Sequence, residues 1–243
     1  YDLYNIEHPF TGIHITEKGL DYLEQYVADA RSVVGYDVPI SIDHFGHIGV
    51  EDCIRLLRRL EKYNIAWAED LLPWQYTKQW QRIAAATTVP LCTGEDTYGK
   101  EAFREIVSSG AFSVIHPDIL TAGGILETKK IGEIAEEHGV AMAIHNAESP
   151  VAFLAAVHTA AATRNFLALE HHSNDIPWWN DIVIGCEKPI IVDGKAKLPT
   201  APGLGITDIN DEALKEHMHS RVKGLWEDTS DWDYIWSHDR LWS

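Results

Sequence analysis

Six short apolar runs recur along the chain: VPISID (38–43), IAWAED (65–70), VPLCTG (89–94), FSVIHPD (112–118), AMAIHN (141–146) and FLALEH (166–171). Each is continuous in hydropathy rather than alternating, which is the pattern of a strand buried on both faces, as in a parallel sheet. Amphipathic stretches lie between them. VEDCIRLLRRLEKY (50–63) sets Ile54, Leu57 and Leu60 on one helical face against Arg and Glu on the other. GGILETKKIGEIAEEHG (123–139) repeats the pattern, with Gly139 as a C-terminal cap. SPVAFLAAVHTAAAT (149–163) opens with Ser149 as N-cap and Pro150 behind it. A further helix is expected from Thr16-Glu17-Lys18 through Val34. Strand and helix alternating at roughly 25 residues is βα-unit architecture. No glycine-rich phosphate loop follows the first strand, which removes support for a dinucleotide-binding open sheet. A TIM-type (β/α) barrel is the predicted fold.

Bulk properties narrow the partners. The formal charge is −17 over 243 residues, so most of the surface would repel a phosphate backbone, and no nucleic-acid partner is expected. No apolar run approaches the roughly 20 residues of a membrane span, and no membrane partner is expected. The three cysteines, Cys53, Cys92 and Cys186, are far apart and form no zinc spacing or disulfide framework, so a reducing cytoplasm is the default.

The ends of the apolar runs carry the chemistry. Asp43, Glu69 and Glu95 close three consecutive units, each 26 residues from the next. Three carboxylates at the same end of neighbouring parallel strands converge, and in a poorly hydrated site they repel unless a cation sits among them. An all-oxygen set points to magnesium or a similar hard ion rather than zinc. Three unrelated helix-capping acids are the plainer alternative. The next two runs carry Asp118 and His145, 27 residues apart on adjacent strands. An Asp–His hydrogen bond there would fix the imidazole tautomer and raise its basicity, making His145 a general base. The last run carries Glu170, followed by His171 and His172. Glu170 is placed to hydrogen-bond a substrate carboxylate if it is protonated.

Asp, Glu and Glu on successive strands, then "PD…GG", a strand-end His and a strand-end Glu resemble the enolase superfamily. Within it, the pattern is similar to the mandelate racemase subgroup of the mandelate racemase/muconate lactonizing enzyme family, which includes galactonate dehydratase-like enzymes. DGKAKLPTAPGLGITD (193–208) resembles that family's return segment. The resemblance implies a modified (β/α)7β barrel, with residues 1–192 forming about six βα units. It implies that 193–243 is a return segment packing toward a capping domain. The first strands and the N-terminal α+β capping domain have no counterpart in the sequence, so an N-terminal portion of the same protein is expected as a partner, together with a homo-oligomer. The implied chemistry is magnesium held by Asp43, Glu69 and Glu95, and removal by His145 of the proton α to a carboxylate. Asp118 would orient His145, and Glu170 would help stabilise the enediolate. The implied product is a 2-keto-3-deoxy acid from a sugar acid, an aldonate or aldarate. His47 is the candidate acid for the leaving hydroxyl. His44, Trp74 and His172 are candidate substrate contacts, although strand alternation turns His44 away from the face of Asp43.

Other readings share parts of this pattern. A racemase, epimerase or cycloisomerase on the same scaffold would use every residue named. A zinc-dependent barrel hydrolase would need a His-x-His on an early strand, and the sequence offers none. A non-catalytic remnant would have kept an acid cluster that folding does not demand. Segment 1–15 is expected to be an irregular loop over the active site, and Trp178 and Trp179 either wall the pocket or fill the core.

Overall fold

All six apolar runs become strands of one parallel sheet. The structure, a computed structural model, describes residues 4–8, 12–43 and 48–226, with side chains from His14 onward. It begins with β1 (Tyr4–His8) and β2 (Gly12–Ile15), an antiparallel pair with Ile6 opposite Ile13. This corrects the expectation of an irregular loop over 1–15. Each strand is too short to show a clean period, and a hydrogen-bonded neighbour decides its conformation.

Helix α1 (Glu17–Val34) starts at Thr16, whose hydroxyl accepts the Gly19 N–H at 3.0 Å. Its buried stripe is Leu20, Leu23 and Val27, ending in a buried arginine, Arg31. The Arg31 guanidinium donates to the carbonyls of Gly35 (2.8 Å), Val38 (2.6 Å), Tyr63 (3.0 Å) and Asn64 (3.0 Å). Those bonds tie the segment that leads into the sheet to the end of the next helical stretch.

The repeat then runs β3 (Ile42–Asp43), α2 (Val50–Leu60), β4 (Ala68–Glu69), α3 (Thr77–Ala84), β5 (Leu91–Thr93) and α4 (Gly99–Ser108). It continues through β6 (Val114–Ile115), α5 (Ile125–Glu137), β7 (Ala141–Ile144), α6 (Pro150–Ala161) and β8 (Phe166–Leu169). Spatial order follows chain order, β3-β4-β5-β6-β7-β8, with every neighbour parallel. A doubly wound sheet reverses its order at a switch point, whereas a barrel does not, so this sheet is of the barrel kind. Among the described residues β3 and β8 are its outer strands.

The helices hold the sheet through fully buried side chains: Leu56, Leu57 and Leu60 of α2, Trp80 and Ile83 of α3, Phe103 and Ile106 of α4, and Ile131 of α5. A smaller cluster of Cys92, Val114 and Ala143, with Trp67 against it, comes from the strands themselves. Gly139, at φ 69°, follows the last turn of α5 in the left-handed conformation its sequence position predicts.

The chain divides into two compact units. One comprises residues up to Glu148 with Ala152–His172, and the other comprises Ser149–Val151 with residues from Ser173 onward. The second unit contains β9 (Val183–Ile184), β10 (Ile191–Val192), β11 (Lys195–Ala196), β12 (Asp208–Ile209) and α7 (Asp211–Glu216). β9 pairs with β12 and β10 with β11, both antiparallel. Trp179 is buried there, and Trp178 stacks on His217 at 4.3 Å. No helix among the described residues is long and apolar enough to cross a membrane.

Candidate active site

The carboxylates collect at the carboxyl ends of β3, β4 and β5. Asp43 stands directly beside Glu69 in the ladder. The ladder partner of Glu69 on β5 is Cys92, not Glu95. Glu95 lies three residues further on and reaches the site because the backbone turns at Gly94, where φ is 142°. A Cβ on Gly94 would stand 2.8 Å from the Phe103 ring and 3.1 Å from the His116 backbone nitrogen, so the turn admits only glycine without rearrangement. One oxygen each from Asp43, Glu69 and Glu95 lie within 4.8 Å of one another. Three oxygen donors at that separation fit a hard divalent cation after small side-chain movements.

β6 and β7 supply the dyad. Asp118 and His145 pair as an isolated parallel bridge beyond the strand ends. His145 Nδ1 lies 2.9 Å from Asp118 Oδ2. The other oxygen of Asp118 accepts the N–H groups of Leu120 (2.8 Å) and Thr121 (2.9 Å), so the carboxylate is held by the loop that follows it. Burial opposes the charge on Asp118, but the His145 hydrogen bond and these two N–H groups outweigh it and hold its pKa at about 2. His145 Nε2 faces the acids, 3.5 Å from Glu95 and 3.6 Å from Glu170. Burial lowers the proton affinity of this ring, yet the Asp118 hydrogen bond and the charges of Glu170 and Glu95 raise it above the usual histidine value.

Glu170 is the hub on the far side. Its Oε1 lies 2.5 Å from His172 Nε2, and its Oε2 accepts the Asn146 N–H at 3.2 Å. Burial pushes its pKa up, but His116, His145 and that N–H pull it down to about 2. The condition attached to Glu170 from the sequence, that it be protonated, is not met by these surroundings.

His116 was not singled out by the sequence. It is 4% exposed and lies between two acids, with Nδ1 2.7 Å from Glu69 and Nε2 3.2 Å from Glu170. Neither contact is aligned with the ring N–H direction, so these are ion-pair approaches rather than formed hydrogen bonds. Burial works against a charged ring, but its neighbours carry its pKa well above the usual value. Trp67 Nε1 donates to the second oxygen of Glu69 at 2.9 Å. His116 was legible in one respect: it lies two residues before Asp118, on the same face of the run. Glu148 also stands by the dyad, its carboxyl made harder to ionise by burial and by the charge of Asp118.

Trp74 is placed differently. It lines a cavity of about 250 Å³ with Asp70, Thr93 and Asp96, none of which belongs to the carboxylate set. His44 and His47 fall outside the described residues.

The sequence profile of the enolase C-terminal domain-like family matches residues 6–213. The chain belongs to the enolase superfamily, in its mandelate racemase/muconate lactonizing enzyme family. It is 33% identical over 206 residues to a D-xylonate dehydratase of Haloferax volcanii, covering 84% of this chain and 49% of that protein. It is 30% identical over 217 residues to a D-galactonate dehydratase of Xanthomonas campestris pv. campestris, covering 87% of this chain and 54% of the other. A crystal structure of a mandelate racemase/muconate lactonizing enzyme-like protein from Rubrobacter xylanophilus superposes with a TM-score of 0.84 at 33% identity. That match covers 89% of this chain and 55% of the other. The chain therefore spans about half the length of the relatives it matches. Its six-stranded sheet is the barrel-like C-terminal fold of the superfamily. Enolase superfamily members use a divalent metal, and Asp43, Glu69 and Glu95 are a donor set of that kind.

Proposed function

We propose that this chain carries the metal-binding and proton-abstracting half of a magnesium-dependent sugar-acid dehydratase. One observation carries the reading: His145 is anchored through Nδ1 to an ionised Asp118 and turns Nε2 toward Glu95 and Glu170. A base so oriented keeps its proton on Nδ1 and offers Nε2 to a substrate C–H. In this reading Asp43, Glu69 and Glu95 hold the ion. Bound there, magnesium would neutralise a substrate carboxylate and acidify its α-proton. His145 takes that proton, Asp118 holds the imidazole in the productive tautomer, and Glu170 with His172 positions the far side of the substrate. His47 is assigned the proton for the departing β-hydroxyl, from its place four residues after Asp43. The product is a 2-keto-3-deoxy acid. Trp74 and His44 remain candidate substrate contacts. The similarity to dehydratases of xylonate and galactonate supports the substrate class. Likeness to a 3,6-anhydro-D-galactonate cycloisomerase of Zobellia galactanivorans, at 27% identity and a TM-score of 0.73, supports isomerisation as the second reading.

The test is a screen of the full-length protein with Mg2+ against aldonic and aldaric acids, assayed for 2-keto-3-deoxy products, with His145→Asn beside it. Product from the wild type and none from the variant is expected. Exchange of the α-hydrogen with deuterium from solvent, without dehydration, would move the reading to the isomerase. In a parallel thermal-shift titration, Mg2+ at a hundred times its Kd should stabilise the wild type by about 2.7 kcal/mol. Glu95→Gln should lose most of that gain.

A further inference from the structure

Glu69 has a second set of neighbours besides Asp43 and Glu95. Cys92 is its ladder partner on β5, and His116 follows β6 on the same face. One ligand atom from each of Glu69, Cys92 and His116 lies within 4.8 Å of the others, and all three residues are buried. The His116 ring is 4% exposed, and both of its nitrogens lack an aligned hydrogen bond. The Cys92 thiol is fully buried beside it, in an apolar cluster with Val114, Ala143, Trp67 and Ala141. A buried imidazole held by ion-pair approaches to Glu69 and Glu170, beside a thiol, makes a nitrogen–sulfur–oxygen donor set. Such a set prefers a borderline-soft ion, whereas Asp43, Glu69 and Glu95 prefer a hard one. Tetrahedral coordination at about 2.0–2.3 Å needs the donors drawn together from their present spacing of up to 4.8 Å.

We propose that Glu69, Cys92 and His116 form a second cation site, selective for a thiophilic divalent ion such as Zn2+ or Co2+, with its fourth position open. On ligation two protons leave to solvent: the Cys92 S–H bond is replaced by a sulfur–metal bond, and the His116 ring, charged between Glu69 and Glu170, gives up one N–H so that its nitrogen lone pair can bind the ion. Because Glu69 serves both sets, an ion here removes a donor from the hard-ion site. Zn2+ therefore acts against Mg2+ through a residue they share and not by substitution alone.

The test uses the full-length protein and Co2+ as the probe, read by absorbance. Thiolate ligation gives a sulfur-to-cobalt charge-transfer band that carboxylate ligation does not. The band is expected in the wild type and in Cys186→Ser, and is expected to vanish in Cys92→Ser. His116→Gln keeps the thiol and should weaken Co2+ binding at least tenfold. Thermal melts of both variants check that they remain folded. Zn2+ should raise the Mg2+ concentration for half-saturation at least threefold more in the wild type than in Cys92→Ser, where only direct substitution remains. Absence of the band in the wild type, or its survival in Cys92→Ser, overturns the proposal. So does an equal effect of Zn2+ on Mg2+ binding in both proteins. The band reports sulfur ligation and not turnover, so its outcome is separate from that of the dehydratase reading.

Discussion

Asp118→Asn isolates the charge behind His145. The amide has the shape of the carboxylate and can still accept the N–H groups of Leu120 and Thr121 through its oxygen. It then presents an NH2 to His145 Nδ1 where the wild type presents an acceptor at 2.9 Å. Nδ1 must become the acceptor, so the ring proton moves to Nε2, the nitrogen facing Glu95 and Glu170. A ring protonated there is no base, and a loss of about 10²–10⁴ in turnover is expected. The same variant has a stability cost that follows from the structure. Asp118 is held from its usual 3.8 down to about 2. That displacement corresponds to roughly 2–3 kcal/mol of folding free energy at neutral pH. Because the folded value lies below the unfolded one, the contribution is complete above the unfolded pKa and is lost as pH falls through the folded one. Urea denaturation of both proteins should therefore give a stability gap of that size, closing as pH falls from 4 toward 2, and narrowing also as pH rises through the raised pKa of His145, whose charge the Asp118 bond supports. A gap under 0.5 kcal/mol at pH 7, estimated with the usual error of such extrapolations, with turnover intact, would refute an ionised Asp118 orienting His145.

Two further changes probe the scaffold. Gly94→Ala would force a Cβ against Phe103 and the His116 backbone; a loss of about 1–3 kcal/mol in urea unfolding is expected, with weaker Mg2+ binding because Glu95 hangs on that turn. Arg31→Met would leave four carbonyls without their donor; a loss of about 3 kcal/mol or more is expected by thermal or chemical denaturation, and a loss below about 1 kcal/mol would show that water replaces the guanidinium at little cost.

Which segments form the sheet is legible in the residues alone, because a strand buried on both faces must be apolar throughout and the helices between must be apolar on one side. So is the Asp118–His145 pair, since parallel neighbours that end together bring their last residues side by side. What the sequence did not hold was the stagger between strands. The equal spacing of Asp43, Glu69 and Glu95 implies one common register, yet Glu69 pairs with Cys92, and Glu95 arrives only through the turn at Gly94. Period-two alternation assigns a face to each residue, but hydrogen bonding to the neighbouring strand sets its height. That height decided that His116 lies between Glu69 and Glu170. Protonation was also a tertiary matter. The protonated Glu170 that the sequence allowed is opposed by the imidazoles of His116 and His145 and the Asn146 N–H, which gather around it and outweigh its burial. The hairpin of β1 and β2 follows the same rule, because strands of five and four residues are specified by the partner they pair with.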